Sequence, residues 1–161
     1  MTSANDGTQV SQYLTFEVAD AEYAVGILRV REIIEYDTLT RVPSAPPAVR
    51  GVINLRGSVV PVVDLAVKFG LEARAVTKRT CIVIVECELD GQAAVMGVLV
   101  DAVRQVVDLG AADIEAAPAF GSGVRVEFLL GMGKTDRGFV LLLDMDRLLA
   151  AQEAAVGLPA A

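Results

Sequence analysis

Apolar and more polar side chains alternate with a period of two along much of this chain. Large apolar residues stand at Leu14, Phe16 and Val18, and the same spacing returns at Ile82 and Ile84. Successive side chains of a β-strand point to opposite faces, so this period predicts strands. Helical patterns are short, and we therefore expect a mainly β fold.

The stretch GVINLRGSVVPVVDL, residues 51–65, predicts a β-hairpin. Two apolar runs flank an Arg-Gly-Ser turn, in which Gly57 can adopt the positive φ that a tight turn requires. Pro61 has no N–H to donate to a ladder, which predicts an edge position or a bulge in the second strand. DLAVKFG then predicts a short helix that begins at a capping Asp64.

The order of these elements recurs in the second half of the chain, which indicates an internal repeat. Each unit has a strand, a turn, a second strand, a VREII or VRQVV segment, a proline loop, a hairpin, an aspartate and a short helix. In the second unit the helix, DMDRLLAAQEAA, begins near Asp144 or Asp146. The predicted divisions are a tail at 1–12, a folded domain at 13–150 made of repeats 13–71 and 79–150, and a tail at 151–161.

Each repeat supplies about five short strands, and a strand set that small avoids open edges by curling into a barrel. We therefore expect two packed β-barrels. In outline, residues of about 13–71 and 140–150 are expected to form the barrel halves. Short helices follow each hairpin and close the C-terminus. The interface between two such barrels creates a groove.

Composition narrows the class of partner. The chain has 161 residues, 53% of them hydrophobic, and a net charge of −7 that repels nucleic acid and anionic membrane surfaces. Charged residues or proline interrupt each apolar run before the roughly 20 residues of a membrane span, and the N-terminus shows no secretory signal. We expect a cytoplasmic protein that binds another protein or a small molecule, without nucleic acid or direct membrane insertion.

Candidate catalytic groups are few. The chain has no histidine, which removes the commonest general base and metal ligand, so we expect no enzyme, no metal and no cofactor. Cys81 and Cys87 lie too far apart along one strand for a disulfide, since each residue advances about 3.3 Å. Asp64 and Asp144 occupy equivalent positions before helices, where capping explains them better than catalysis.

The segment GMGKT, residues 131–135, resembles the end of a phosphate-binding loop. The full pattern would need glycine at Phe128 and a helix after the loop, whereas an apolar strand follows. The repeat assigns GMGKTDRG to the hairpin turn that corresponds to LRGS of the first unit.

Glu32 and Arg56 each allow two interpretations. Glu32 lies in VREII, and its counterpart in the second repeat is the neutral Gln105. Either side chain can be a solvated surface residue, or it can border an apolar patch where a protein partner binds. Arg56 has no arginine counterpart at the first corner of the second hairpin turn.

The combination VINLRGSVVPVVDL, preceded by ILRVREI and RVPSAPP, resembles the CheW family of coupling proteins of bacterial chemotaxis. The similarity covers Tyr13 to about Ala150, including both repeats. It implies a non-enzymatic adaptor built from two five-stranded SH3-like barrels. The implied partners are the cytoplasmic tip of a chemoreceptor (a methyl-accepting chemotaxis protein) and the C-terminal regulatory domain of the histidine kinase CheA.

The resemblance also implies positions for these contacts. The receptor-binding residues that it implies are Val30, Glu32, Arg56, Ile27, Leu14 and Val100. Phe120, in the proline-containing loop APAF, corresponds to a position that meets the kinase domain. Gly51 and Gly57 are expected to serve the backbone of the hairpin.

Two other interpretations remain open from the sequence. The chain can be the CheW-like module of a non-flagellar chemosensory pathway, or of a larger polypeptide that carries a kinase or receiver domain. It can also be a two-barrel protein that binds a small molecule in the cleft between its barrels.

Overall fold

The structure, a computed structural model, describes residues 10–37, 39–89, 91–116 and 126–156. The prediction of a mainly β fold is confirmed. The strands are β1 (Val10–Val18), β2 (Ala21–Gly26), β3 (Val30–Glu35), β4 (Val49–Leu55), β5 (Ser58–Asp64), β6 (Cys81–Leu89), β7 (Gln92–Val100), β8 (Ala102–Gly110), β9 (Ile114–Glu115), β10 (Leu129–Thr135) and β11 (Gly138–Leu143). The helices are α1 (Leu65–Lys68) and α2 (Met145–Val156), with 3₁₀ turns at Ile27–Arg29, Ala111–Asp113 and Val126–Phe128.

The strands form two curled sheets, which confirms the prediction of two barrels. The sheet of barrel 1 has the strand order β8-β1-β2-β11-β10-β9. The sheet of barrel 2 has the order β3-β6-β7-β5-β4. Leaving out the two-residue β9, the orders correspond strand for strand, as expected for an internal repeat.

The expectation that each repeat forms its own barrel is wrong. The first hairpin of repeat one, β1-β2, pairs with β8 and β11 of repeat two. The first hairpin of repeat two, β6-β7, pairs with β3 and β5 of repeat one. Barrel 2 is therefore continuous in sequence, and the chain enters and leaves it through barrel 1. The sequence pattern could not reveal this, since the repeats look the same whether or not their hairpins are exchanged.

The largest core cluster lies where the barrels meet. Phe16 and Tyr23 of barrel 1 pack there with Val83 and Met96 of barrel 2, and Leu148 of α2 completes the cluster. Each barrel also has its own interior, around Val62 and Ile84 in barrel 2 and around Leu109 and Leu142 in barrel 1. The outer face of β6 is buried against the partner barrel, which explains its near-continuous apolar sequence.

Both predicted helices begin at an aspartate. Asp64 accepts a hydrogen bond of 3.0 Å from the N–H of Ala66 and an ion-pair contact of 2.5 Å from Arg50. Asp144 accepts a bond of 3.2 Å from the N–H of Arg147. Capping therefore accounts for these two carboxylates, as the sequence predicts.

The element boundaries differ from the predicted ones at both ends. Strand β1 begins at Val10, inside the segment predicted as a tail, because its first residues pair with the end of β8. Helix α2 extends to Val156, beyond the predicted domain end at 150. A strand extends as far as a neighbouring strand pairs with it, and a helix extends as far as its own hydrogen bonds continue. Hydrophobic periodicity gives no information about either kind of hydrogen bond.

Pro61 lies in an interior strand, since β5 has β4 on one side and β7 on the other. The pairing with β7 begins only at Val62, so Pro61 is paired with β4 alone. The predicted edge position is therefore wrong for β5 as a strand, and Pro61 is tolerated because the pairing with β7 starts one residue later. The hairpin predicted at GMGKTDRG is present, but its turn is shorter than predicted: GMGKT belongs to β10, and only Asp136 and Arg137 form the turn into β11.

Neither cysteine forms a disulfide. Cys87 is buried, whereas Cys81 is only half-buried, and burial raises the pKa of the Cys81 thiol. In the described part of the chain no helix is long and apolar enough to cross a membrane.

Candidate partner-binding site

The guanidinium of Arg56 contacts the carboxylate of Glu32 through both of its terminal nitrogens. Nη1 donates to Oε2, and Nη2 donates to Oε1 at 3.1 Å. This two-bond geometry uses the planar fork of arginine, which matches a carboxylate better than a lysine ammonium does. The sequence offered no neighbour for Arg56 within its own hairpin, and the structure brings one from β3.

The tight turn of the β4-β5 hairpin places Arg56. Leu55 pairs with Ser58, so Arg56 and Gly57 are the two turn residues, with φ values of +53° and +89°. The side-chain oxygen of Asn54 accepts a bond of 2.8 Å from the N–H of Gly57. Positive φ at both turn residues is the hairpin type that matches strand twist, and the predicted role of Gly57 is confirmed.

Strand β3 places Glu32. A bulge between Val30 and Glu32 shifts the register against β6, so that Glu32 stands opposite Ile84. From there Glu32 and Ile34 are half-buried while Ile33 is exposed. The bulge therefore turns the Glu32 carboxylate toward the mouth of barrel 2, where the Arg56 turn ends.

Arg56 and Glu32 stabilise each other's charge. The hydrogen bonds from Arg56, followed by the attraction of its charge, lower the pKa of Glu32 below its ordinary value of 4.5. The same carboxylate raises the pKa of Arg56. Both groups are ionised at neutral pH, and the Arg56 side chain is 74% exposed while that of Glu32 is 26% exposed.

The ion pair joins the two edges of the barrel 2 sheet. Strand β3 lies at one edge, and β4, which leads into the Arg56 turn, lies at the other. Further along the same seam, Thr40 forms a backbone bridge with Val52, with N···O distances of 2.8 and 3.0 Å. The seam is thus closed by backbone bonds at one level and by the ion pair at another.

Apolar side chains accompany the predicted site residues Ile27 and Val30. Both are half-buried and pack against the core between the barrels. Leu28 lies between them and is 94% exposed. Val59, the second residue of β5 after the turn, is 68% exposed. Leu28 and Val59 were not predicted from the sequence, although the alternation of β5 places Val59 on the face opposite the buried Val60.

Leu14 and Val100 are not surface positions. Leu14 is 3% exposed and Val100 is 1% exposed, and both belong to the core between the barrels. Their expected place in a binding groove is therefore wrong in this structure. The exchanged hairpins bring the outer faces of β1 and β7 together, and that packing buries both side chains. Phe120 lies outside the described residues.

Further ion pairs hold the elements around the site. Arg29 contacts Asp146 at the start of α2 through two bonds of 3.0 and 2.9 Å. Asp146 also accepts a bond of 2.8 Å from the N–H of Glu88. Arg31, next to Glu32 in sequence, contacts Glu86 across the strands at 3.3 Å.

The candidate site is an open surface. The clefts around the proline loop at Pro43, along the crossover at Arg74 and beside β8 at Asp108 do not include Glu32 or Arg56. No group of metal-ligating side chains occurs among the described residues. An exposed ion pair with apolar neighbours resembles a protein contact more than an enclosed small-molecule site.

Comparison with known proteins identifies the family. The family model described as CheW-like domain matches residues 12–153. The chain belongs to the CheW-like domain family. It is 36% identical over 145 residues to the chemotaxis protein CheW of Klebsiella aerogenes, which covers 90% of this chain and 85% of that protein. It is 33% identical to the chemotaxis protein CheW of Rhizobium meliloti, over 88% of this chain and 89% of that protein.

A solved structure supports the same family assignment. The scaffolding protein TtCheW of Thermoanaerobacter tengcongensis matches with a TM-score of 0.78 and 31% identity. The match covers 88% of this chain and 93% of that one. The CheW-like family resemblance of the sequence and its two-barrel fold are thereby confirmed, and the chain is a chemotaxis scaffold protein.

Proposed function

We propose that this chemotaxis scaffold protein couples the cytoplasmic tips of chemoreceptors to the C-terminal regulatory domain of the histidine kinase CheA. It would do so from the cytoplasm, as a protein recruited to receptors at the membrane. The Glu32–Arg56 ion pair and its apolar neighbours are the proposed receptor site. The kinase surface lies elsewhere, and the assignment of Phe120 to it remains a prediction.

The conformation of Arg56 is the single observation that carries this proposal. A left-handed backbone costs a side-chain-bearing residue about 1 kcal/mol, and Asn or Gly is the usual choice at this turn position. An exposed ion pair contributes little stability in return. The turn disfavours arginine at position 56, and the fold gains little stability from it. A contact with a partner explains why arginine is present there.

The geometry suits a helix of the receptor tip. Val59 and Leu28 offer exposed apolar surface, with Ile27 and Val30 half-buried beside Leu28. Two of the five N–H donors of Arg56 bind Glu32, and the others remain for a partner. Apolar contacts would supply affinity, and Arg56, oriented by Glu32, would fix the register of the helix.

Co-sedimentation with receptor-containing membranes and the kinase tests the proposal. Arg56→Ala and Glu32→Ala should each reduce recruitment to receptors while the protein stays folded. Arg31→Ala is the matched control. It removes an exposed arginine and its ion pair with Glu86 from β3, the strand that carries Glu32. If the Arg56 and Glu32 variants sediment as well as the Arg31 variant does, the site assignment is wrong.

Arg56→Asn separates the turn from the contact. Asparagine tolerates the left-handed backbone, so this variant should fold at least as stably as the unchanged protein. Its recruitment to receptors should nevertheless fall as far as that of Arg56→Ala. Normal recruitment of Arg56→Asn would mean that the guanidinium serves no partner. Thermal unfolding and the same sedimentation assay provide the two measurements.

A further inference from the structure

Barrel 1 has a mouth that corresponds to the candidate site of barrel 2 but is built differently. The bulge that places Glu32 on β3 recurs where Gln105 of β8 pairs with Thr15. The turn that holds Arg56 corresponds to the turn of Asp136. Gln105 and Asp136 cannot form an ion pair, so the contact that joins the sheet edges in barrel 2 has no equivalent here.

Among the described residues, the strands at this mouth have backbone groups without a strand partner. β8 is an edge strand and pairs with β1 alone among the described strands. β9 covers β10 only at Met132 and Gly133, so Lys134 and Thr135 extend past it. An edge strand directs alternate N–H and C=O groups outward, where another strand can pair with them.

A cleft of about 630 Å³ occupies the space between these edges. Its walls are residues 105–109 of β8 on one side and Lys134–Asp136 of the β10 hairpin on the other. The equivalent level of barrel 2 is spanned by the Glu32–Arg56 pair. In the described part of the chain, the seam of barrel 1 is therefore open beside β8 and beside the last residues of β10.

The charge of the cleft is negative. Asp108 and Asp136 are exposed, and Asp113 is already bonded to the N–H of Gly110 at 2.8 Å. Lys134 is the one basic residue among the described residues that line the cleft. The chain as a whole carries a net charge of −7. A basic occupant is therefore favoured over an acidic one.

Apolar side chains flank the cleft. Val106 of β8 lines the cleft and is 47% exposed, and Phe139 of β11, which pairs with Lys134 of the cleft wall, is 53% exposed. A segment that pairs with the edge of β8 would place every second side chain next to this surface. Apolar and basic side chains in alternation would match the flanking surface and the two aspartates.

From these features we infer that the seam between β8 and β10 binds an extended basic segment of a partner protein by strand addition. The backbone of the segment pairs with the free edge of β8, and its lysine or arginine side chains contact Asp108 and Asp136. This surface is separate from the Glu32–Arg56 site on the other barrel. It would give the scaffold a further contact with a partner, and it does not depend on receptor binding through Arg56.

The probe is a peptide of alternating valine and lysine residues. Its length is about six residues, which is the usual length of a strand. Fluorescence anisotropy should show binding by the full chain. Asp108→Lys with Asp136→Lys should weaken it by about tenfold or more, because attraction becomes repulsion. The matched control, Glu72→Lys with Glu88→Lys, changes the total charge equally at exposed sites away from the seam and should bind nearly as before.

Two further measurements distinguish strand addition from general charge attraction. A peptide with proline at its centre should bind much more weakly, since proline lacks the N–H for pairing. Hydrogen exchange should be fast at β8 amides that point into the seam and slow down when the valine–lysine peptide binds. Any of four results would overturn the inference. They are no binding of the valine–lysine peptide, equally strong binding of the proline peptide, an equal loss of affinity in both charge variants, and slow exchange of these β8 amides already in the free protein.

Discussion

At the scale of single residues, the structure separates side chains that the sequence treats alike. Leu14 and Val30 both stand in apolar strand positions, yet Leu14 is core and Val30 is half-buried at the candidate site. Glu32 and Arg56 could each be a solvated residue by sequence. Their two-bond contact assigns each a definite partner, and it ties the charge state of one to the presence of the other.

The pKa of Glu32 should depend on Arg56. Arg56→Ala should raise the pKa of Glu32 toward its ordinary value of 4.5, because the main cause of the lowering is removed. Since the folded pKa is depressed, the pair's contribution is present above the unfolded pKa and is lost as the pH falls through the folded pKa. Carboxyl titration by NMR provides the measurement. Arg31→Ala should move the same pKa less, and an unchanged pKa in Arg56→Ala would contradict the contact.

Asp64 should contribute more to stability than its repeat counterpart. Its side chain is buried, caps α1 and neutralises Arg50. Asp64→Ala should lower the free energy of unfolding by about 2–3 kcal/mol, since it removes a cap and leaves a partly buried guanidinium unpaired. Asp144→Ala should cost only about 1 kcal/mol. Urea unfolding compares them, and equal losses would show that the Arg50 contact adds nothing.

At the scale of elements, barrel 2 depends on a close approach between the loop after β3 and strand β4. A Cβ at Gly51 would lie 2.5 Å from the carbonyl oxygen of Thr40 and 2.9 Å from the Cβ of Leu39. Gly51 therefore permits the bridge between Thr40 and Val52 that closes the seam. By sequence Gly51 and Gly57 have the same backbone role in the hairpin, whereas in the structure Gly51 is required by crowding and Gly57 by the conformation of the turn.

Substitution of the two glycines should show this difference. Gly51→Ala should lower the free energy of unfolding by about 2–3 kcal/mol, because the backbone at Thr40 must move to make room. Gly57→Ala meets nothing within 4 Å, so only its left-handed backbone costs, at about 1 kcal/mol. Thermal and urea unfolding provide the comparison. A Gly57 variant that is as unstable as the Gly51 variant would contradict the assignment.

At the scale of the whole molecule, the exchanged hairpins make the two repeats interdependent. Barrel 1 uses β1-β2 of the first repeat, and barrel 2 uses β6-β7 of the second. The largest core cluster lies between the barrels and includes α2. Neither repeat by itself contains a complete barrel, so the fold requires both.

Separate fragments 13–71 and 79–150 should therefore remain unfolded when each is alone. Mixing them should restore strand structure, because each supplies the hairpin that the other lacks. Amide shift dispersion in NMR spectra of the single and mixed fragments is the measurement. A well-dispersed spectrum from fragment 13–71 alone would contradict the exchange of hairpins.

The sequence by itself determined the mainly β class, the repeat, the Gly57 turn, the capping aspartates and the family resemblance. These features rest on local periodicity, on backbone preferences of single residues and on a specific motif, all of which are written along the chain. The family resemblance also named Glu32 and Arg56 as candidates, whereas the pattern of their neighbours alone left each of them open as a solvated surface residue.

Only the tertiary structure decided which strands share a barrel, that Leu14 and Val100 are buried, and that Glu32 and Arg56 meet. Each of these depends on which distant segments pair, and two similar repeats satisfy the same pattern with exchanged or unexchanged hairpins. The open seam of barrel 1 follows from the same cause. The fold places Gln105 and Asp136 on the two walls of this seam, at the positions where Glu32 and Arg56 form an ion pair in barrel 2. That correspondence cannot be seen from either residue in the sequence alone.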